Sequence, residues 1–231
     1  MKTKTIMVLL CLLLSLSFAR PILLIIDSTG SMGGSLDTGM TKLDAAKQAA
    51  TQIVQNSNDE IALMIYTACD SAGDPMSGGA RVVVPFTTDK TQLITEIDKL
   101  TADSDTPIAD AITEASTYVQ TSGKSAAIIL LTDGEETCGS FDASSLASIA
   151  SSHGVTMVNV VGFQLSSSAQ TQMQSLAADS GGKYYDANDT ASLQQSMQQA
   201  YGNASGTGGM CCLPSAFLLA VACGAIIVGR K

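Results

Sequence analysis

Histidine is almost missing from this 231-residue chain: His153 is the only one. It stands in Ser152-His153-Gly154, between a helix-like and a strand-like segment and far from the carboxylates that matter below. Nothing therefore supports a Ser-His-Asp arrangement or a histidine-ligated metal. Glycine is frequent, at 20 residues, yet no phosphate-cradling glycine loop with its lysine follows a strand. Basic residues are few, 12 Lys and Arg against 21 Asp and Glu, and no basic patch is interleaved with aromatics. Nucleic acid is excluded as a partner on that ground. No internal repeat is found. These absences together predict a protein that is not an enzyme.

An apolar stretch without charge lies near each end. Met1-Lys2-Thr3-Lys4 precedes an apolar stretch from Ile6 to Phe18, and Ser17-Phe18-Ala19 offers a small-x-small cleavage site. Residues 1–19 thus read as a secretory signal peptide, the competing reading being an uncleaved anchor helix. Residues 203–209 read as a juxtamembrane linker. The 20 residues from Met210 to Gly229 carry no charge, which is enough to span a membrane as a helix. Arg230-Lys231 follows as a cytoplasmic end, in keeping with the positive-inside tendency. The small residues Asn203, Ala204, Ser205 and Gly206 also permit a GPI-type lipid anchor. Either anchor puts the folded domain, residues 20–202, outside the membrane, at the cell surface. All 21 acidic residues fall between Arg20 and Cys212 against eight basic ones there, a balance of −13.

Of six cysteines, Cys11 belongs to the leader, Cys211 and Cys212 to the membrane boundary, and Cys223 to the apolar tail. Cys69 and Cys138 remain in the domain, and an exported protein favours a disulfide between them over two free thiols. Two sequons, Asn188-Asp189-Thr190 and Asn203-Ala204-Ser205, offer N-glycan acceptors.

Between the ends, strand-like and helix-like segments alternate. Apolar runs at Ile22–Ile26, Ile61–Tyr66, Ala126–Thr132 and Val155–Val161 have buried-strand length. Ala80–Phe86 follows a Gly- and Asp-rich loop as an edge strand, and Lys183–Tyr185 is a short last strand. Helical spacing covers Lys42 to Val54, Leu93 to Leu100, Pro107 to Val119, Ala143 to Ala150, Ala169 to Ala178 and Leu193 to Tyr201. Continuous apolar strands alternating with helices predict a doubly wound α/β domain, a mostly parallel sheet with helices on both faces. Ligand sites in such folds lie beyond the carboxyl ends of the strands.

Asp27-Ser28-Thr29-Gly30-Ser31 occupies such a strand end, directly after Ile22–Ile26. It presents one carboxylate and two hydroxyls at alternate positions, hard oxygen donors suited to a divalent cation such as Mg²⁺. Asp133 ends the fourth strand at the same sheet edge, and Thr106 precedes the helix that runs back to that strand. Taken singly, Asp27 reads as a helix cap and Asp133 as a turn residue. Together the three loops converge on one place. Glu135 and Glu136 read as solvated loop charges.

Asp27-Ser28-Thr29-Gly30-Ser31-Met32, Thr106-Pro107 and Leu131-Thr132-Asp133-Gly134 resemble, in order and separation, a von Willebrand factor type A domain with a metal-ion-dependent adhesion site. The resemblance spans roughly Pro21 to Tyr201. It implies a six-stranded sheet with one antiparallel edge strand, Ala80–Phe86. It also implies metal ligation by Thr29, Ser31 and Thr106, with Asp27 and Asp133 close by, one or both through water. Thr29 stands where the family commonly has serine, which keeps the hydroxyl. Asp103-Ser104-Asp105 stand where it often has glycines, which bears on loop shape and adds negative charge. The expected ion is Mg²⁺, with Mn²⁺ or Ca²⁺ as alternatives. The expected partner is a protein or matrix ligand supplying an acidic group to the metal. The alternative role is a membrane-anchored assembly subunit engaging a fixed partner. On this layout a bond between Cys69 and Cys138 pins two loops of the binding face, with Asp70 and Asp74 flanking it.

Overall fold

A computed structural model describes residues 20–69, 79–103 and 105–206. The chain runs β1 (Ile22–Asp27), a 3₁₀ turn (Gly30–Gly33), α1 (Lys42–Asn56), β2 (Ile61–Tyr66), β3 (Ala80–Thr87), α2 (Lys90–Asp98) and α3 (Ile108–Thr121). It continues with β4 (Ala126–Thr132), α4 (Ala143–Ser152), β5 (Val155–Phe163), α5 (Ser167–Asp179), β6 (Tyr184–Ala187) and α6 (Thr190–Ser205).

Every residue of β1, β2 and β4 is buried, as their unbroken apolar sequences require of strands covered on both sides. The sheet order is β3-β2-β1-β4-β5-β6. All neighbours are parallel except β2 and β3. The predicted antiparallel edge strand is therefore present. Side chains of each strand alternate between two cores. Ile22, Leu24 and Ile26 pack with α1, α2 and α6, whereas Leu23 and Ile25 pack with α3, α4 and α5.

Helix starts are set by local polar caps. Thr41, Asp89, Asp142, Ser166 and Asp189 each accept hydrogen bonds from backbone N–H groups in the first turn of the helix that follows. α3 is the exception. Pro107 occupies its cap position, one residue before the helix rather than within it, and has no side chain to offer. α6 runs on to Ser205, past the expected end at Tyr201, so the stretch read as a linker from 203 begins as helix.

Among the described residues no helix is long and apolar enough to cross a membrane. The expected leader at 1–19 and the span at 210–229 lie outside the described residues, as do Asp70, Asp74 and Ser104.

Candidate metal centre

β1 lies between β2 and β4; the chain passes from β1 to β2 and β3 on one side and then crosses over to β4 on the other. The carboxyl ends of β1 and β4 therefore flank a topological switch point, where open α/β sheets form crevices. Asp27 closes β1 and lies in register with Tyr66 of β2. Thr132 and Asp133 close β4 beside it.

Asp27 is completely buried. Its Oδ1 accepts from the backbone N–H of Thr29 at 2.9 Å and from Thr29 Oγ1 at 2.6 Å. Its Oδ2 accepts from the Tyr66 hydroxyl and the Thr132 hydroxyl, each at 2.8 Å, and more loosely from Asp133 N–H at 3.4 Å. Burial, then the charge of Asp133, pushes its carboxyl above the usual range, while the bonds from Thr29 and Tyr66 pull it back. Burial and the charge of Asp27 in turn raise the Tyr66 phenol well above its ordinary value. Both Asp27 oxygens are occupied by protein donors, so this residue orients the hydroxyls around it rather than reaching an ion directly.

From Thr29 the oxygens form a row. Thr29 Oγ1 lies 3.1 Å from Ser31 Oγ, which donates to Asp133 Oδ1 at 2.6 Å. The 3₁₀ turn that carries Ser31 is anchored by Met32, which is fully buried. Adjacent ligands around an octahedral Mg²⁺ at its usual bond length stand about 3 Å apart. The 3.1 Å between Thr29 Oγ1 and Ser31 Oγ matches that spacing, whereas the 2.6 Å between Ser31 and Asp133 is that of a hydrogen bond. Thr106 comes from the third loop and is only 6% exposed. A Cβ added at Gly134 would meet Thr106 Oγ1 at 3.5 Å and Ser31 Oγ at 3.8 Å, so the two hydroxyls face one small cradle. Among the described residues no cluster of three or more His, Cys, Asp or Glu side chains is found. Hydroxyls with two carboxylates, hard and weakly charged, suit Mg²⁺ or Mn²⁺ better than a soft metal.

The loops are laced together. Asp103 N–H donates to Ser28 O at 2.9 Å, which ties the loop before Thr106 to the first loop. Thr106 N–H donates to Thr137 Oγ1 at 2.8 Å, and Thr137 N–H donates back to Thr106 O at 3.0 Å. Cys69 and Cys138 form the expected disulfide, which joins the loop after β2 to the loop after β4.

Five further residues belong to the centre although the sequence reading did not assign them to it. Tyr66 and Thr132 hold Asp27, and Thr137 holds Thr106. Lys42 Nζ pairs with Asp133 Oδ2 at 2.8 Å. Glu136, read as a solvated charge, accepts from Ala109 N–H and Cys138 N–H, each at 2.7 Å, and so supplies the cap that Pro107 cannot. Glu135 likewise has partners, the hydroxyls of Ser166 and Ser168, which hold its carboxyl below the ordinary value. A buried phenol at a strand end was a usable signal for Tyr66, since such a hydroxyl needs a partner. The sequons lie elsewhere. Asn188 is exposed beyond β6, and Asn203 sits in the last turn of α6 with its buried Oδ1 unpaired among the described residues. His153 follows α4 at the amino edge of the sheet, opposite the centre.

The family model of the von Willebrand factor type A domain matches residues 22–136. An uncharacterized protein of Bacillus subtilis (strain 168), YwmD, is 26% identical over 183 residues, 75% of this chain and 81% of that one. Among solved structures, the pilus adhesin SpaC from Lactobacillus rhamnosus GG superposes with a TM-score of 0.62 at 16% identity, over 80% of this chain and 30% of that one. The proximal thread matrix protein 1 of the mussel byssus, with a zinc-occupied MIDAS motif, gives 0.62 at 17% identity over 80% and 45%. This chain thus spans less than half the length of either solved structure.

Proposed function

Because the chain belongs to the von Willebrand factor type A family, we propose that it is an exported, membrane-tethered binding module whose centre takes a divalent ion and an acidic group of a protein or matrix ligand. The observation that carries this reading is the row of oxygens from Thr29, Ser31 and Asp133, with Thr106 facing the same cradle. Bound there, a hard divalent ion such as Mg²⁺ would supply an electrophilic position for a carboxylate.

The residues divide the work. Thr29, Ser31 and Thr106 offer neutral hydroxyl oxygens, and Asp133 offers one charge. Asp27 fixes Thr29 from below through two hydrogen bonds and does not compete for the ion. A site with so few anionic ligands leaves much of the ion's charge uncompensated, which favours capture of an anion rather than saturation by the protein. Ser31 is exposed, so the row opens to solvent. The disulfide fits an oxidising compartment. The apolar run at 210–229 supports the tether, and the likeness to a pilus adhesin fits a role in adhesion. We read the centre as binding rather than catalytic, since its two carboxylates are taken up in holding the site, Asp27 by Thr29, Tyr66 and Thr132 and Asp133 by Ser31 and Lys42.

Affinity capture by the full chain, in Mg²⁺ and in EDTA, tests this. Partners that are captured in Mg²⁺, lost in EDTA and equally lost with Thr29→Ala/Ser31→Ala are the expected result. A partner retained in chelator favours a fixed assembly subunit, and identical captures throughout would refute metal-dependent binding.

A further inference from the structure

Lys42 is the first residue of α1, where the positive end of the helix dipole disfavours a cation. Its side chain nevertheless folds inward and is only 17% exposed, with Nζ 2.8 Å from Asp133 Oδ2. The Asp133 side chain is fully buried. Its other oxygen takes the Ser31 hydroxyl. Asp27, held by Tyr66, Thr29 and Thr132, is a second carboxylate beside the pair. Among the described residues the other ion pairs, Lys99 with Glu96 and Lys124 with Glu60, lie elsewhere. Lys42 is thus the one basic side chain paired with either carboxylate of the centre.

On the metal-binding reading above, we infer that Lys42 is a resident counter-cation of the centre, standing in for the divalent ion when it is absent and competing with it for Asp133. Two buried carboxylates side by side would repel each other in an ion-free protein. One ammonium at hydrogen-bond distance offsets that repulsion and keeps Asp133 aimed into the crevice. The same ammonium repels an arriving divalent ion, and Asp133 must divide its charge between the two. Lys42 therefore weakens ion affinity while supporting the ion-free fold. A centre built this way would load and unload with changing ion supply rather than hold its ion permanently.

Calorimetric titration of Mn²⁺ into the full chain, with thermal unfolding in Mn²⁺ and in EDTA, tests the inference on wild type, Lys42→Met and Lys42→Arg. Even at the dielectric of bulk water, one unit charge a few ångströms from a divalent ion is worth about tenfold in affinity, which sets a lower bound here. Lys42→Met should bind Mn²⁺ at least about tenfold more tightly, unfold earlier than wild type in EDTA, and gain more in Tm on adding Mn²⁺. Lys42→Arg restores the charge and should return all three towards wild type. Equal affinity and equal thermal shifts in Lys42→Met and wild type, or weaker binding in Lys42→Met, would overturn the inference and leave the metal-binding reading standing. Absence of Mn²⁺ binding in every form would overturn that reading as well. A measurement that needs no variant covers misfolding of Lys42→Met: in ¹⁵N-lysine-labelled wild type, added Mg²⁺ should move the Lys42 side-chain signal and leave Lys90 and Lys99 in place. An unmoved Lys42 signal at saturating Mg²⁺ contradicts the competition.

Discussion

Replacing Asp27 by asparagine should leave the ion-free fold almost unchanged, whereas replacing it by alanine should damage it, and the difference follows from the donors around one carboxylate. Five donors converge on Asp27: Thr29 N–H, three hydroxyls from Thr29, Tyr66 and Thr132, and a distant Asp133 N–H. Hydroxyls can rotate from donating to accepting; backbone N–H groups cannot. Asparagine therefore keeps its carbonyl towards Thr29 N–H and turns its NH₂ towards Tyr66 and Thr132, whose hydroxyls then accept, giving up only the loose 3.4 Å bond from Asp133 N–H. Charge-assisted bonds become neutral ones, a loss of about 1 kcal/mol each. Against this, a buried charge that faces Asp133 is removed, and its cost is visible in the raised carboxyl of Asp27. The two terms oppose each other, so Asp27→Asn should cost much less stability than Asp27→Ala near neutral pH. Alanine instead leaves Thr29 N–H and the buried Tyr66 hydroxyl unpaired, at about 1–3 kcal/mol each, for a total loss of about 3–5 kcal/mol.

The pH dependence has a definite sign. A carboxyl whose folded-state pKa exceeds the unfolded value, about 4, binds its proton more tightly when folded. That contribution is present in acid and is lost as pH rises through the folded pKa. In EDTA, wild type should therefore lose stability relative to Asp27→Asn as pH rises from about 4 through that value, with no further divergence above it. Urea unfolding of both variants and wild type in EDTA, from acid to pH 8, measures all of this. Alanine costing no more than asparagine, or wild type gaining on Asp27→Asn with rising pH, would contradict this role of Asp27.

Two further outcomes follow from other parts of the molecule. The Cys69–Cys138 bond closes a separation of 69 residues. Chain entropy assigns a loop of that size about 4 kcal/mol, so the double Cys→Ser variant should unfold about 10 °C lower in calorimetry; an unchanged Tm would show that the unfolded chain is not constrained by this bond. Tyr201 donates to Asp59 Oδ2 at 2.7 Å, and burial followed by that bond pushes its phenol from 10.0 to about 12. Its contribution holds below the unfolded value and disappears between pH 10 and about 12, so Tyr201→Phe should flatten part of the alkaline stability loss seen in urea unfolding, and an unaltered profile would count against it.

The strands and the sheet edge could be read from the sequence because they depend on local chemistry. Ile22–Ile26 and Ala126–Leu131 are apolar without interruption, which forces burial on both faces and a parallel sheet. Asp27 and Asp133 break those runs at their carboxyl ends, and Pro107 marks the helix behind Thr106, so the convergence of these oxygens at one sheet edge was legible too. The supporting residues were not. Tyr66 reaches Asp27 across 39 residues, Lys42 reaches Asp133 across 91, and Glu136 reaches Ala109 across 27. Each contact exists only after loops close, and each residue has an ordinary local explanation: a strand's last apolar position, a helix surface lysine, a solvated loop acid. One local conflict was visible for Lys42, a cation at a helix amino terminus. Pro107 left another, a helix start without a cap, which Glu136 resolves.

Direct titration of Mg²⁺ or Mn²⁺ into the full chain is the sharpest test of the centre. Wild type should bind one ion, and Thr29→Ala/Ser31→Ala should abolish that binding. Asp27→Asn should weaken it about 10- to 100-fold, as loss of a residue that orients ligands does, without unfolding the domain. The same ion binding in all three proteins, or none in wild type, would contradict the account.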